Sequence, residues 1–296
     1  MSRTTRLAVM GDAHYCSEIP NEHTSIRDAY YRQLFREFFA LDADVHILLG
    51  DVTHWGNPQE WDFVLRTTSE LSKRYDRQFR FILGNHDTLR QSREDVLGQT
   101  ESPRYAVDEF PNLRIVYLDT TKESSYDNWG GLVDQEQLDW LDEMSHSENQ
   151  YTIVCGHHPI AQTTAGSDRD MMSIDNSREV LQKLANLSQE GLYLNGHNHV
   201  HSAVSGTDTL PGWTFVQHSA VLSAPVFRRY TVSDEAVHVS SYHADHDLLR
   251  QSELFRGLML GYDHTDKAYG TSEMVLTTLS RAKNSTRSTV DHVMDK

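Results

Sequence analysis

Five short stretches set ligand-type side chains beside a glycine: Gly11-Asp12-Ala13-His14, Gly50-Asp51, Gly84-Asn85-His86-Asp87, Gly156-His157-His158-Pro159 and Gly196-His197-Asn198-His199. Imidazoles, carboxylates and one carboxamide, without cysteine, make a donor set suited to manganese, iron, zinc or cobalt. In Asp12/His14 and His197/His199 the candidates stand two residues apart. Extended backbone points residues i and i+2 the same way, so each pair is expected to reach one ion together. Seven donors, one of them from the His157-His158 pair, exceed the needs of one tetrahedral ion. They match two ions that share a carboxylate and a water.

These donors need a scaffold that brings distant segments to one edge. Apolar runs at 7–10, 45–49, 79–83, 115–118, 151–155 and 192–194 have the length and content of buried strands. Five of the six lead directly into the ligand stretches, and in open α/β sheets the carboxyl ends of strands face the ligand crevice. Between them, Ile26, Tyr30, Leu34, Phe35, Phe38 and Phe39 recur as one face of a helix. A second helix opens at Asn57-Pro58, with Trp61, Val64, Leu65 and Leu71 as its buried stripe. Segments 134–144 and 175–187 read the same way, and strand–helix alternation predicts a layered α/β fold. After Val200 the pattern turns β-like, at 203–204, 213–217, 226–232 and 236–241, as if completing a sandwich. Residues 242–296 lack that pattern. They read as an extension with an apolar patch at 254–260, serving as an oligomerisation or cap element, and a frayed tail.

In order along the chain, D-x-H, G-D, G-N-H-D, V-x-x-H and G-H-x-H resemble the calcineurin-like metallophosphoesterases. The resemblance is nearest to their class III cyclic-nucleotide phosphodiesterase and glycerophosphodiesterase branch, and it covers residues 6 to 240. It implies a four-layer αββα sandwich of two mixed β-sheets flanked by helices, filling residues 1–241. It also implies roles: Asp12, His14 and His199 on a first metal ion, Asn85, His157 and His197 on a second, Asp51 bridging both. His157 rather than His158 matches the last position of Val154-Cys155-Gly156-His157. His86 would contact the phosphate or protonate the leaving oxygen, while hydroxide held between two ions attacks phosphorus. Small phosphodiesters are the expected substrates, with a phosphomonoesterase or a non-catalytic interaction module as alternatives. One position departs from the pattern. Three residues after Asp51, where relatives often carry an Asp or Tyr, stands His54. It is a further candidate ligand, a partner for His86, or a substrate contact.

The whole chain sets outer bounds. It has 296 residues and a formal net charge of −16, which works against a polyanionic nucleic-acid partner. A small phosphate ester remains compatible, since metal ions can meet its charge locally. Two cysteines, a polar start and the lack of a run of roughly 20 apolar residues predict a cytoplasmic protein with no membrane partner. Self-association is expected to run through the extension. Several polar residues carry ordinary readings: His158 points away, and His201 and His218 sit on strands or loops. Asp168, Asp170 and Asp175 form a solvated loop. Asp119 either supports a substrate loop or simply ends a strand. Tyr15, Trp55 and Trp129 fall in loops at the ligand edge, where one of them can stack on a base or cover an apolar group.

Overall fold

The computed structural model describes residues 4–123, 125, 127–144, 151–270 and 278–280. The strands of its first half are β1 (Thr4–Met10), β2 (Val45–Leu48), β3 (Gln78–Phe81), β4 (Ala106–Phe110) and β5 (Leu113–Tyr117). Then follow β6 (Tyr151–Cys155), β7 (Gly191–Asn195), β8 (Ser202–Ser205), β9 (Trp213–Gln217), β10 (Val226–Ser233), β11 (Ala236–His243) and β12 (Thr278–Ser280). The helices are α1 (Thr24–Ala40), α2 (Pro58–Tyr75), α3 (Arg93–Thr100), α4 (Gln135–Glu143), α5 (Ser177–Leu187) and α6 (His246–Leu258).

Two six-stranded sheets result, ordered β12-β11-β10-β1-β2-β3 and β4-β5-β6-β7-β9-β8. In the first, β1, β2 and β3 are parallel while β10 to β12 run antiparallel. In the second, β5, β6, β7 and β9 are parallel between antiparallel edges β4 and β8. The central strands read as unbroken apolar runs because both of their faces are covered. Leu7, Val9 and Ile47 of one sheet meet Ile115, Ile153, Leu192 and Leu194 of the other in the middle of the sandwich. On the outer face of the first sheet, Met10 and Leu48 pack with Phe35 and Phe38 of α1 and Trp61 and Val64 of α2. On the outer face of the second, Val116, Val154 and Tyr193 pack with Leu138 of α4 and with Val180 and Leu184 of α5. Helix, sheet, sheet, helix: the αββα expectation holds.

Local signals set the helix starts. Asn57 and Glu60 form a reciprocal capping box on α2, with Pro58 in its first turn. Asp134 caps α4 by accepting the Gln137 N–H. Two details differ from the sequence reading. Ile26, expected on the buried stripe of α1, is exposed. Arg27 is buried in its neighbourhood instead, donating to the carbonyls of Cys16 and Ser17 and to Asp28. Past Tyr242, where no pattern was legible, β11 runs on to His243 and α6 follows, capped by Asp245. Its buried positions are only Leu248, Ser252 and Phe255, so a polar residue interrupts an already short apolar stripe. Residues 271–277 and the tail from 281, expected to fray, lie outside the described residues. Among the described residues no helix is long and apolar enough to cross a membrane.

Candidate metal centre

The loops that follow β1, β2, β3, β6 and β7 converge at one edge of the sandwich. Hydrogen bonds lock them together: Ala13 and His14 N–H donate to the Asp51 carbonyl at 3.0 and 2.8 Å, and His197 N–H donates to Asp12 Oδ2 at 3.0 Å. Glycine is required where a carboxylate comes close. A Cβ on Gly84 would overlap the backbone N and Oδ1 of Asp51, and one on Gly196 would overlap Asp12 Oδ1. The two-residue spacing works differently from the extended backbone expected above. His14, Asp51, His197 and His199 have φ of 50, 45, 75 and 53°, in the left-handed region. Tight left-handed turns, not strand alternation, aim these side chains inward.

The inner atoms form two adjoining groups. Donor atoms of Asp12, His14, Asp51 and His199 all lie within 4.8 Å of one another and could hold an ion. In the second group, Asn85 Oδ1 stands 3.1 Å from His157 Nε2 and 3.0 Å from His197 Nδ1. Asp51 Oδ2 lies between the groups, 3.7 Å from His14 Nε2 and 3.3 Å from His157 Nε2. The outer ring nitrogens determine what the inner ones present. His157 Nδ1 donates to the Leu49 carbonyl, His197 Nε2 to that of Met171 and His199 Nδ1 to that of Asp263, at 2.7, 3.0 and 2.7 Å. A carbonyl only accepts, so the proton of each neutral imidazole sits outside and a bare lone pair faces inward. His14 Nε2 and His199 Nε2 then oppose each other at 3.0 Å, and buried Asp12 Oδ1 has no donor among the described residues. Lone pairs and carboxylates crowded together call for positive charge, and this donor set fits divalent transition metals.

Protonation follows the same logic. Burial alone would raise Asp51, but the surrounding His157 and His86 hold its carboxyl well below the usual range. Burial works to lower His157, yet Asp51 outweighs it and brings the ring up to about 9. Burial, reinforced by His157, takes His197 down to about 3. Protons thus collect beside the carboxylates, the positions a cation would fill.

Comparison with known proteins decides the family. The family model described as calcineurin-like phosphoesterase matches residues 5–201, well over half of the chain. The chain belongs to the calcineurin-like phosphoesterases. Two curated relatives are similar to it over part of their length, each named a probable cyclic nucleotide phosphodiesterase. One, from a Synechococcus strain, is 27% identical over 156 residues, covering 53% of this chain and 58% of the relative. The other, from Rhodococcus erythropolis, is 29% identical over 119 residues, covering 39% and 38%. The matched stretches therefore span 58% of one relative and 38% of the other. Among solved structures, a dimetal phosphatase from Danio rerio superposes with TM-score 0.64 at 16% identity, covering 81% of this chain and 96% of that one. A purple acid phosphatase from yellow lupin seeds gives 0.55 at 11% identity, covering 82% and 52%. Both are similar in fold.

In this calcineurin-like phosphoesterase the centre opens into a cleft of about 280 Å³, lined by His86, Trp55, Trp129, Met172 and Tyr262, with Arg169 its one Lys or Arg among the described residues. His86 donates from Nδ1 to the carbonyl of His54 at 2.8 Å, and its backbone N–H holds Asp51 Oδ1 at 2.8 Å. His54 thus orients His86 through its main chain. Its ring does something else: Nε2 donates to the Leu260 carbonyl at 2.7 Å and Nδ1 meets His14 Nδ1 at 3.3 Å. His158 is spoken for, by Thr120 Oγ1 and the Trp129 carbonyl. His201 and His218 are buried outside the cleft. Asp168, Asp170 and Asp175 are exposed. Tyr15 is not a cleft residue: its ring stacks on Phe63 at 4.1 Å and its hydroxyl donates to Asp28. Asp119 is fully enclosed, accepting from Arg93, Arg104 and Thr121. Sequence reasoning missed Tyr262 and Asp263, and no ligand-type motif marks them. It quoted Asp87 in a motif without giving it a job. Asp87 accepts from the backbone N–H groups of Val52, Thr53 and Gly84, tying the Asp51 loop to the Asn85 loop.

Proposed function

We propose that this phosphoesterase hydrolyses small phosphodiesters at a paired-metal site. Asp12, His14, Asp51 and His199 would hold one ion, and Asn85, His157 and His197 the second, with Asp51 shared. The observation that carries the reading is the set of inward-facing ring nitrogens, held in place by backbone carbonyls that accept from the outer ones. When bound, two such ions supply an activated water at neutral pH and neutralise charge on the phosphoryl oxygens. Manganese, iron, zinc and cobalt all suit the donors.

His86 serves as general acid. It acts as the imidazolium: the His54 carbonyl accepts the Nδ1 proton, and the second proton, on Nε2, passes to the departing alcohol oxygen. Trp55 and Trp129 supply flat apolar walls that favour a substrate with a second ester arm over bare phosphate. The names of the two partial relatives agree with a diesterase, and cyclic nucleotides and glycerophosphodiesters fit its scale. Free, buried Cys16 and Cys155 fit a reducing, cytoplasmic setting.

The test pairs composition with turnover. Elemental analysis of protein purified without chelator should give two transition-metal ions per chain, and one or none would overturn the paired site. With manganese, bis(p-nitrophenyl) phosphate should show a higher kcat/KM than p-nitrophenyl phosphate. The reverse order would make the protein a phosphomonoesterase.

A further inference from the structure

Beyond residue 201, where the family match ends, the chain returns to the metal centre. After α6, residues 259–264 run across the candidate first ion site. Phe255 and Met259 anchor the near end in the core beside α1, and the Ala268 carbonyl, accepting from His201 N–H at 2.9 Å, anchors the far end. Between these anchors, Ser223 Oγ meets Tyr262 Oη at 2.8 Å and His264 Nδ1 at 3.1 Å. The Tyr262 ring stacks on His199 at 5.3 Å and stands edge-on to His14 at 5.3 Å. Gly261 sits at φ 72°, in the left-handed region that favours glycine.

Two carbonyls of this strap meet two histidines. Asp263 accepts from His199 Nδ1 directly, at 2.7 Å. Leu260 accepts from His54 Nε2, at 2.7 Å. Because Leu260 can only accept, neutral His54 carries its proton on Nε2 and offers a lone pair at Nδ1. That lone pair faces His14 Nδ1 at 3.3 Å, so the His14 proton sits there. His14 Nε2 is left bare toward Asp51 and His199. One chain of donors therefore runs from His14 through His54 to the Leu260 carbonyl.

We propose that the 260–263 strap and His54 are positioning groups for the first metal site, fixing the tautomer and orientation of His14 and His199, and that His54 ligates no ion itself. The proposal rests on the paired-metal reading above. The second group is oriented without the strap: His157 donates to Leu49 and His197 to Met171. The strap should therefore act on one ion and spare the other. Loss of such outer partners typically costs about 10–100-fold in metal affinity.

The experiment is calorimetric titration of the metal-free full chain with Co2+ or Mn2+, following each site separately. His54→Gln keeps an acceptor toward His14 and a donor toward Leu260, whereas His54→Leu keeps neither. Gly261→Val forces a β-branched residue into left-handed backbone and so re-aims the Leu260 carbonyl. His54→Leu and Gly261→Val should weaken one site by about 10–100-fold and leave the other within about threefold, while His54→Gln recovers most of the loss. If wild type binds two ions but both His54 variants lose one outright, His54 is a ligand and the strap proposal is overturned. It is equally overturned if none of the variants changes either affinity. A wild-type chain that binds no second ion defeats the paired-metal reading instead. Long-range 1H–15N spectra of the zinc-loaded wild type give an independent readout that needs no variant. His54 should be protonated at Nε2 and His14 at Nδ1, and the opposite tautomer at His54 would overturn the relay.

Discussion

Asp119 follows β5 and looks, in sequence, much like the ligand-bearing strand ends, yet its carboxylate faces Arg104 Nε at 2.8 Å and Arg93 Nη1 at 3.2 Å. Its other oxygen accepts from Thr121 N–H and Oγ1 at 2.9 and 2.5 Å. Asp119→Ala removes all four interactions. All four end on a charged carboxylate, where a hydrogen bond is worth about 1.5–3 kcal/mol before offsets. Two offsets apply: the variant no longer buries a carboxylate, and Arg104 keeps Asp134 and Glu136 as partners. A net loss of about 2–4 kcal/mol remains, at the lower end of what breaking a buried pair costs, because both arginines are partly exposed. Thr121 begins the loop that carries Ser125 and Trp129 to the cleft, so that wall should loosen. Urea unfolding should show the lower midpoint at unchanged slope. Steady-state kinetics should show a raised KM while elemental analysis still finds the wild-type metal content. A destabilisation below about 0.5 kcal/mol, the scale of ordinary surface substitutions, would refute the clamp. Metal lost in step with stability would instead tie Asp119 to the centre.

Two further substitutions probe the centre. His86→Ala should lower kcat by about 10²–10⁴-fold with metal content intact, and the loss should shrink for esters with good leaving groups. Equal losses across leaving groups would make His86 a phosphate binder. Gly84→Ala drives a Cβ into the backbone N and Oδ1 of Asp51, neither of which has room to yield. Overpacking of this kind costs about 1–3 kcal/mol, and here it should also push the ion stoichiometry below two per chain. A Gly84→Ala protein with full metal and full rate would show that Asp51 can move aside freely.

The parts of the fold that were legible are those where physics leaves a local mark. Strands such as Tyr151–Cys155, buried at every position, cannot avoid reading as apolar runs. The start of α2 is written in Asn57, Pro58 and Glu60, because capping chemistry is local. Ligand-type residues stood out because glycine and a polar donor follow an apolar run in five places. What stayed hidden is carried by backbone groups or by distant partners. The Leu260 and Asp263 carbonyls that orient His54 and His199 have no sequence signature, since any residue supplies a carbonyl. Tyr15 has the right loop but the wrong direction, because Phe63 offers its ring a stacking surface and Asp28 an acceptor.

The left-handed turns under the ligands show how such a site persists. A non-glycine residue held at positive φ costs about 1–3 kcal/mol, and four candidate ligands share this strain. Each is held from more than one direction. The Asp51 carbonyl takes two N–H groups while its carboxylate takes the His86 N–H, and Asp12 Oδ2 takes the His197 N–H. Glycine at 84 and 196 lets neighbouring loops close on those carboxylates without a clash. The extended alternative, expected from the two-residue spacing, would put both side chains of each pair on one face of a strand. The left-handed turns set His14 and His199 with their Nε2 atoms opposed across 3.0 Å, an arrangement that repels until a cation or proton sits between them. A bound cation thus relieves the repulsion among the donors and offsets the strain in the backbone that holds them. Binding a cation should therefore stiffen the loops as a unit, a cooperative gain that separate ligand contacts would not give.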